Sequence, residues 1–267
     1  MTARQREVLA DLRAAVNLAH PQALDLALDS LRREPQLAGN QPLQPVVIQH
    51  LLLPAGQILG RPAVPWQYLQ KLQNDPLTGL RAVAAIAALQ RWLAADDRAL
   101  SLLERAAADR RPEVTQALVV TAQQSGVSSA ERVLQLAGRW LQTDSSTVKR
   151  TAAYQLLVSQ AAASTDKILD LAAGAPVPET ERENAALADL LAAVGQADSG
   201  QAVLQLLSRW VKVDAHDAWL YCRVLSSGWA AVYQPQAEQI LDTLEDQGHH
   251  GRQINRTRQA LARKAGE

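Results

Sequence analysis

Short polar corners recur along this chain at a nearly constant interval, and each stands before an apolar run with helical spacing. The corners are Asn40 in GNQPLQPV, Asp75 in NDPLTGLR, Asp109 in ADRRPEVT and Asp144 in TDSSTVKR, followed by Glu179 in VPETEREN, Asp214 in VDAHDAWL and His250 in GHHGRQINR. Successive intervals are 35, 34, 35, 35, 35 and 36 residues. A unit of that size holds two helices and a turn. Alone it cannot bury enough apolar surface, so it must stack on copies of itself. The period therefore predicts an array of helical hairpins.

Asp, Asn and Ser before an apolar periodic run are what helix N-capping asks for. Second helices are expected near 43–59, 77–94, 111–124, 146–162, 179–195, 215–230 and 251–264. First helices are expected near 21–34, 65–73, 96–108, 128–142, 164–173, 199–212 and 234–246, with 3–18 as an additional opening helix. Within 77–94, Leu80, Val83, Ala84, Ala87, Ala88 and Trp92 follow the 3.6-residue period.

Composition agrees. The chain has 48 Ala, 41 Leu and 27 Gln among 267 residues, all good helix formers, and it contains no Phe. A sheet protein of this length would draw on far more aromatic and β-branched residues. Lys plus Arg and Asp plus Glu both number 27, which disfavours a broadly basic nucleic-acid binder while leaving room for a local patch. Cys222 is the one cysteine, so neither an internal disulfide nor a multi-cysteine zinc site is expected. The opening MTARQREVLADLRAAV lacks a basic-then-apolar leader pattern, and apolar runs such as AVAAIAAL at 82–89 are too short for a membrane span. A cytoplasmic location with no membrane association is the expectation.

The first 64 residues depart from the pattern and are expected to form an irregular capping region, with 65–267 more regular. Pro42, Pro45, Pro54, Pro62 and Pro65 crowd there with Gly56 and Gly60. Pro45 suits a first helical turn, whereas Pro54 is expected to break or kink helix 43–59. GRPAVP at 60–65 reads as a rigid connector, and AAGAPVPETERE at 172–183 as a second one.

The corner-plus-helix pattern resembles the HEAT-like repeats of bacterial proteins, most closely at NDPLTGLRAVAAIAAL (74–89) and TDSSTVKRTAAYQLL (143–157). In both, Asp is followed six residues later by Arg: Asp75 with Arg81 and Asp144 with Arg150. The resemblance implies an all-α, right-handed α-solenoid of the armadillo type with about seven hairpins, forming a single domain over residues 1–267. It also implies that these four residues tie adjacent repeats together. Thr115, Ala185 and Leu220 replace Arg at equivalent places, and Arg256 restores it.

Arg139-Trp140 and Arg209-Trp210 occupy the same place before their corners, and Arg91-Trp92 repeats the dipeptide at another phase. A Trp there either fills space beneath the turn, its N–H on a carbonyl, or offers a partner an aromatic platform. RWVKVDAHDAWLYCR at 209–223, with Trp210 and Trp219 framing a polar corner, looks like a helix-pair signature of HEAT-like alkyl-purine DNA glycosylases. That family has a basic surface carrying aromatics and an acidic residue. Asp214 and Asp217 stand near this corner, although the neutral charge balance departs from the family's expected footprint.

No phosphate-binding, zinc-hydrolase, nucleophile-elbow or calcium-loop motif is present. His249 and His250 are adjacent and His216 precedes Asp217, neither being a metal-ligand spacing, so no metal and no cofactor are expected. Asp96-Asp97, Glu179/Glu181/Glu183 and Glu245-Asp246 fall near helix ends; the last pair opposes the helix dipole and so invites a partner. The clearest charge patch is terminal: Arg252, Arg256, Arg258, Arg263 and Lys264. It reads either as a solvated capping face or as a contact for phosphates or an acidic protein.

The expected function is a non-enzymatic scaffold that holds a protein partner on its concave surface, with Trp140, Trp210, Trp219, Arg252, Arg256 and Arg258 as interaction residues. A DNA-binding relative of the alkyl-base glycosylases, and a helical regulatory or chaperone subunit, are the alternatives.

Overall fold

The computed structural model describes residues 1–37, 42–142, 146–213, 216–249 and 251–265, and every regular element among them is helical. The corners Asn40, Asp144, Asp214 and His250 lie outside the described residues. The helices group into two compact units, Met1–Arg132 and Val133–Glu267.

The first unit opens with α1 (Ala3–Asn17), which begins at a reciprocal cap in which Thr2 accepts from the Gln5 amide and the Gln5 side chain accepts from the Thr2 amide. It continues through α2 (Pro21–Arg32), α3 (Pro45–Val47), α4 (Leu53–Leu59), α5 (Trp66–Gln73), α6 (Thr78–Leu93), α7 (Leu100–Ala107) and α8 (Pro112–Ser125). α4 packs on α6 and α6 on α8, while α5 packs on α6 and on α7. α6 is the centre of this unit and is buried nearly all round, from Ala82 through Leu89 without interruption. Its run of alanines lets neighbouring axes approach closely. So does Gly56 on α4, where a Cβ would lie 2.5 Å from Cβ of Ile86.

Pro54 does not break its helix. The chain stays helical from Pro45 to Leu59 because Ile48–Leu52, just before it, adopts π-helical spacing. A proline removes one amide donor and crowds the carbonyl four residues back, and the wider turn accommodates both. The 60–65 connector has its own device: the buried Arg91 guanidinium donates to the carbonyls of Gly60 (3.2 Å), Arg61 (2.8 Å) and Val64, and lies 4.3 Å over the Trp66 ring. Three carbonyls of the loop are thereby tied to the helix below it.

α9 (Ala130–Gln142) straddles the boundary between the units in sequence. The second unit comprises α10 (Thr147–Val158), α11 (Thr165–Gly174), α12 (Glu181–Val194), α13 (Gly200–Lys212), α14 (Ala218–Leu225), α15 (Gln234–Asp246) and α16 (Arg252–Ala265). Helices alternate between two rows. α10, α12, α14 and α16 pack side by side in sequence order, and α11, α13 and α15 form the other row. This is a repeat-like helical arrangement. The π turn Gly195–Ser199 joins α12 to α13, and there a Cβ on Gly195 would meet the Trp229 indole nitrogen at 2.5 Å.

Candidate functional site

Polar groups follow the repeat. Asp75 and Asp109, 34 residues apart, each accept on Oδ1 from the amide two residues on (Leu77 at 3.0 Å, Arg111 at 2.9 Å), and each accepts on Oδ2 from an arginine of an earlier helix. The arginine on Asp109 is Arg81 (2.7 Å); the one on Asp75 is Arg32. At its own corner Arg81 donates to the carbonyls of Asp75 and Pro76 and to the Thr78 hydroxyl, while its carboxylate partner is Asp109. In the second unit Arg150 donates to Glu183 at 2.5 Å and to Glu179 at 3.0 Å, while Asp144 lies outside the described residues. Arg81 and Arg150 are both the fourth residue of their helices. Arg256, six residues after the corner at His250, is exposed, whereas Arg150 is buried.

The tryptophans separate by environment. Trp140 is 1% exposed and presents no surface to a partner. Trp92 is also buried, donating to the Arg132 carbonyl at 2.8 Å beneath that residue's guanidinium. Trp210 is half-buried against His216, ring centroids 4.2 Å apart, and burial lowers the pKa of that imidazole. Trp219 is half-buried and faces a cleft.

That cleft, an open depression of about 740 Å³, lies between α14 and α16. Trp219 and Arg223, four residues apart on α14, form one wall, with the Arg223 guanidinium carbon 5.2 Å from the Trp219 ring centroid. α14 is capped by Asp217, whose carboxylate accepts from the Trp219 amide at 2.9 Å. Arg252, Gln253 and Arg256 of α16 form the opposite wall, and Cys222 and Thr257 the buried floor. α16 is seated by Ile254, Thr257 and Leu261, a spacing that turns Arg252 and Arg256 outward. Burial pushes the Cys222 thiol up, against the opposing effect of its Thr257 hydrogen bond, and so keeps it protonated.

The basic residues of α16 are not equivalent. Arg258 points to α15, where it meets Glu238 (3.0 Å), Asp242 (2.5 Å) and Glu245 (3.0 Å). Burial opposes its charge, but the bonds from Glu245 and Glu238 and the nearby Asp242 together hold its pKa above the ordinary value. Arg258 therefore drops out of the terminal patch, and Glu245 has an internal partner. Lys264 donates to the Ser226 carbonyl at 2.9 Å. Arg223, which sequence reading did not place in a site, is held on Asp189 at 2.7 Å. Its i,i+4 relation to Trp219 was the available signal. Arg252 and Arg256 are exposed and, among the described residues, have no carboxylate partner.

Their position is electrostatically adverse. Arg252 opens α16, where the helix dipole disfavours a cation, and no acidic residue occupies that first turn. Arg256 adds a like charge four residues on. What the cleft can do chemically is accept an anionic group between two guanidiniums beside an indole. Among the described residues no cluster of His, Cys, Asp or Glu is arranged to hold a metal ion, and no helix is long and apolar enough to cross a membrane. No family model, no curated protein and no solved structure matches this chain.

Proposed function

We propose that this chain is a non-enzymatic, HEAT-like repeat scaffold whose second unit binds an acidic segment of a protein partner in the α14–α16 cleft. One observation carries the reading: Arg252 and Arg256, without a carboxylate partner among the described residues and at the unfavourable end of α16, line the same cleft as Trp219 and Arg223. Proteins retain locally unfavourable charge where a ligand compensates it. An acidic peptide suits the cleft better than a nucleic-acid backbone. A duplex needs an extended positive track, whereas Asp189 on α12 pairs with Arg223 in the wall of this cleft.

The test is fluorescence anisotropy with a labelled Asp/Glu peptide at low ionic strength, run beside a labelled oligothymidylate. Peptide binding that weakens at least about tenfold in R252A/R256A, and falls with added salt, supports the proposal. Tighter binding of the oligothymidylate would move the site to nucleic acid, and no binding of either would sink it.

A further inference from the structure

A second groove lies in the other row of the same unit, between α13 and α15, with a volume of about 610 Å³. Its lining is unlike that of the arginine cleft. Gln201 and Gln205 project from α13 and face Gln236 and Gln239 of α15; all four are exposed. None of these carboxamides has a hydrogen-bond partner among the described residues. Leu204 forms an apolar floor, and Tyr233 is the aromatic residue in the lining. At one end Arg209 and Lys212, in the last turn of α13, add positive charge, and among the described residues no acidic side chain lines the groove.

We infer that the α13–α15 groove binds an extended peptide segment of a partner protein through its main chain, with an acidic residue of that segment meeting Arg209 and Lys212. The argument is one of matching. A carboxamide offers a donor and an acceptor together, which is what each backbone amide presents. Gln201, Gln205 and Arg209 lie four residues apart, a rise of about 6 Å per step along the helix. An extended chain repeats its same-side backbone groups about every 6.7 Å. Over two steps the mismatch is about 1.4 Å, within the reach of a flexible Gln side chain. The cations sit where the helix dipole already favours them, so the carboxamide stripe carries the assignment and the charges set its direction. This groove shares no lining residue with the α14–α16 cleft and stands or falls separately from it.

Affinity selection from a degenerate decapeptide pool, using the wild-type chain beside Q201A/Q205A/Q239A and R209A/K212A, tests it. All three proteins are first checked for unchanged circular dichroism and melting. The expected result is a set of peptides that the triple variant retains at least about tenfold less. Those peptides carry Asp or Glu enriched toward one end only, and R209A/K212A loses that enrichment. Methylating alternate backbone nitrogens of the best peptide should weaken binding by a similar factor, while R252A/R256A should retain it unchanged. Equal retention by wild type and the triple variant, absence of any retained peptide, indifference to N-methylation, or retention of maltohexaose in place of peptides would each overturn the inference.

Discussion

Arg150 donates from Nε to Oε1 of Glu183 at 2.5 Å, and both side chains are out of solvent, at 2% and 0% exposure. They stand on adjacent helices of one row, α10 and α12, 33 residues apart. The pair is a bidentate fork: Nη2 also reaches Glu183 Oε2 at 3.3 Å, and Glu183 in turn takes the Glu179 amide at 3.1 Å. Tyr154 lies in the same environment. Burial, and then the Glu183 charge, push its phenol well above the ordinary value.

Removing one member of such a pair leaves a buried charge uncompensated, whereas removing both leaves an apolar contact. R150M is therefore expected to destabilise the second unit by about 3–5 kcal/mol. R150M/E183L should recover most of that loss. Urea denaturation of wild type, both singles and the double decides it; a double variant as unstable as R150M would show that packing, not charge, holds these helices together.

His216 gives a pH dependence. Its pKa is lowered by burial against Trp210, so between the ordinary histidine value of about 6.5 and the lower folded-state value the unfolded chain binds a proton that the folded chain does not. Stability then falls as pH drops through that window and is fully retained above it. Melting temperature should decline from pH 7.5 toward pH 5.5, and H216L should flatten the decline. An unchanged slope in H216L would place the effect elsewhere.

The helical array was legible because its period is long and its corners are chemically marked. A helix from Thr78 to Leu93 follows from its 3.6-residue pattern and the turn before it. Partner choice was not legible. Periodicity says that Arg81 faces a neighbour but not which one, and a long guanidinium stem reaches Asp109 of the next corner as readily as its own. The same holds for Arg258, whose three carboxylates lie 13 to 20 residues upstream on α15. Nor does spacing separate Trp140 from Trp210, which share a repeat position but differ in burial because burial is set by the helices packed above them. Pro54 announced a disturbance of its helix, but not that a π turn at Ile48–Leu52 would absorb it.

Helix ends offer a paired test. After α6, Ala95 has φ 64, with its amide on the Trp92 carbonyl (2.9 Å) and the Asp96 amide on that of Arg91 (2.9 Å). After α15, Gly248 has φ 89 and makes the corresponding bonds with His249. Both are Schellman caps, and only the second carries the residue such a cap prefers. Ala95→Gly should raise stability by about 0.5 kcal/mol, after allowing for glycine's greater freedom in the unfolded chain. Gly248→Ala should lower it by about 1 kcal/mol. Thermal melts of the two variants should shift in opposite directions.

Arg252 separates stability from binding. As the first residue of α16 it is a cation where the helix dipole favours an anion, with Arg256 one turn further on. Arg252→Glu replaces repulsion with a favourable charge–dipole interaction and an i,i+4 attraction to Arg256. It should stabilise the folded chain by about 0.5–1 kcal/mol. The same change inverts the charge of one wall of the α14–α16 cleft and should weaken an acidic peptide at least about tenfold. Arg258→Glu is the contrast: it strips three carboxylates of their cation and should destabilise while leaving the cleft's lining intact. Melting should therefore rise in Arg252→Glu and fall in Arg258→Glu, while peptide anisotropy should change in Arg252→Glu alone. If Arg252→Glu both melted lower and bound normally, the arginine would be serving the fold, and the anionic-partner reading of this cleft would lose its main support.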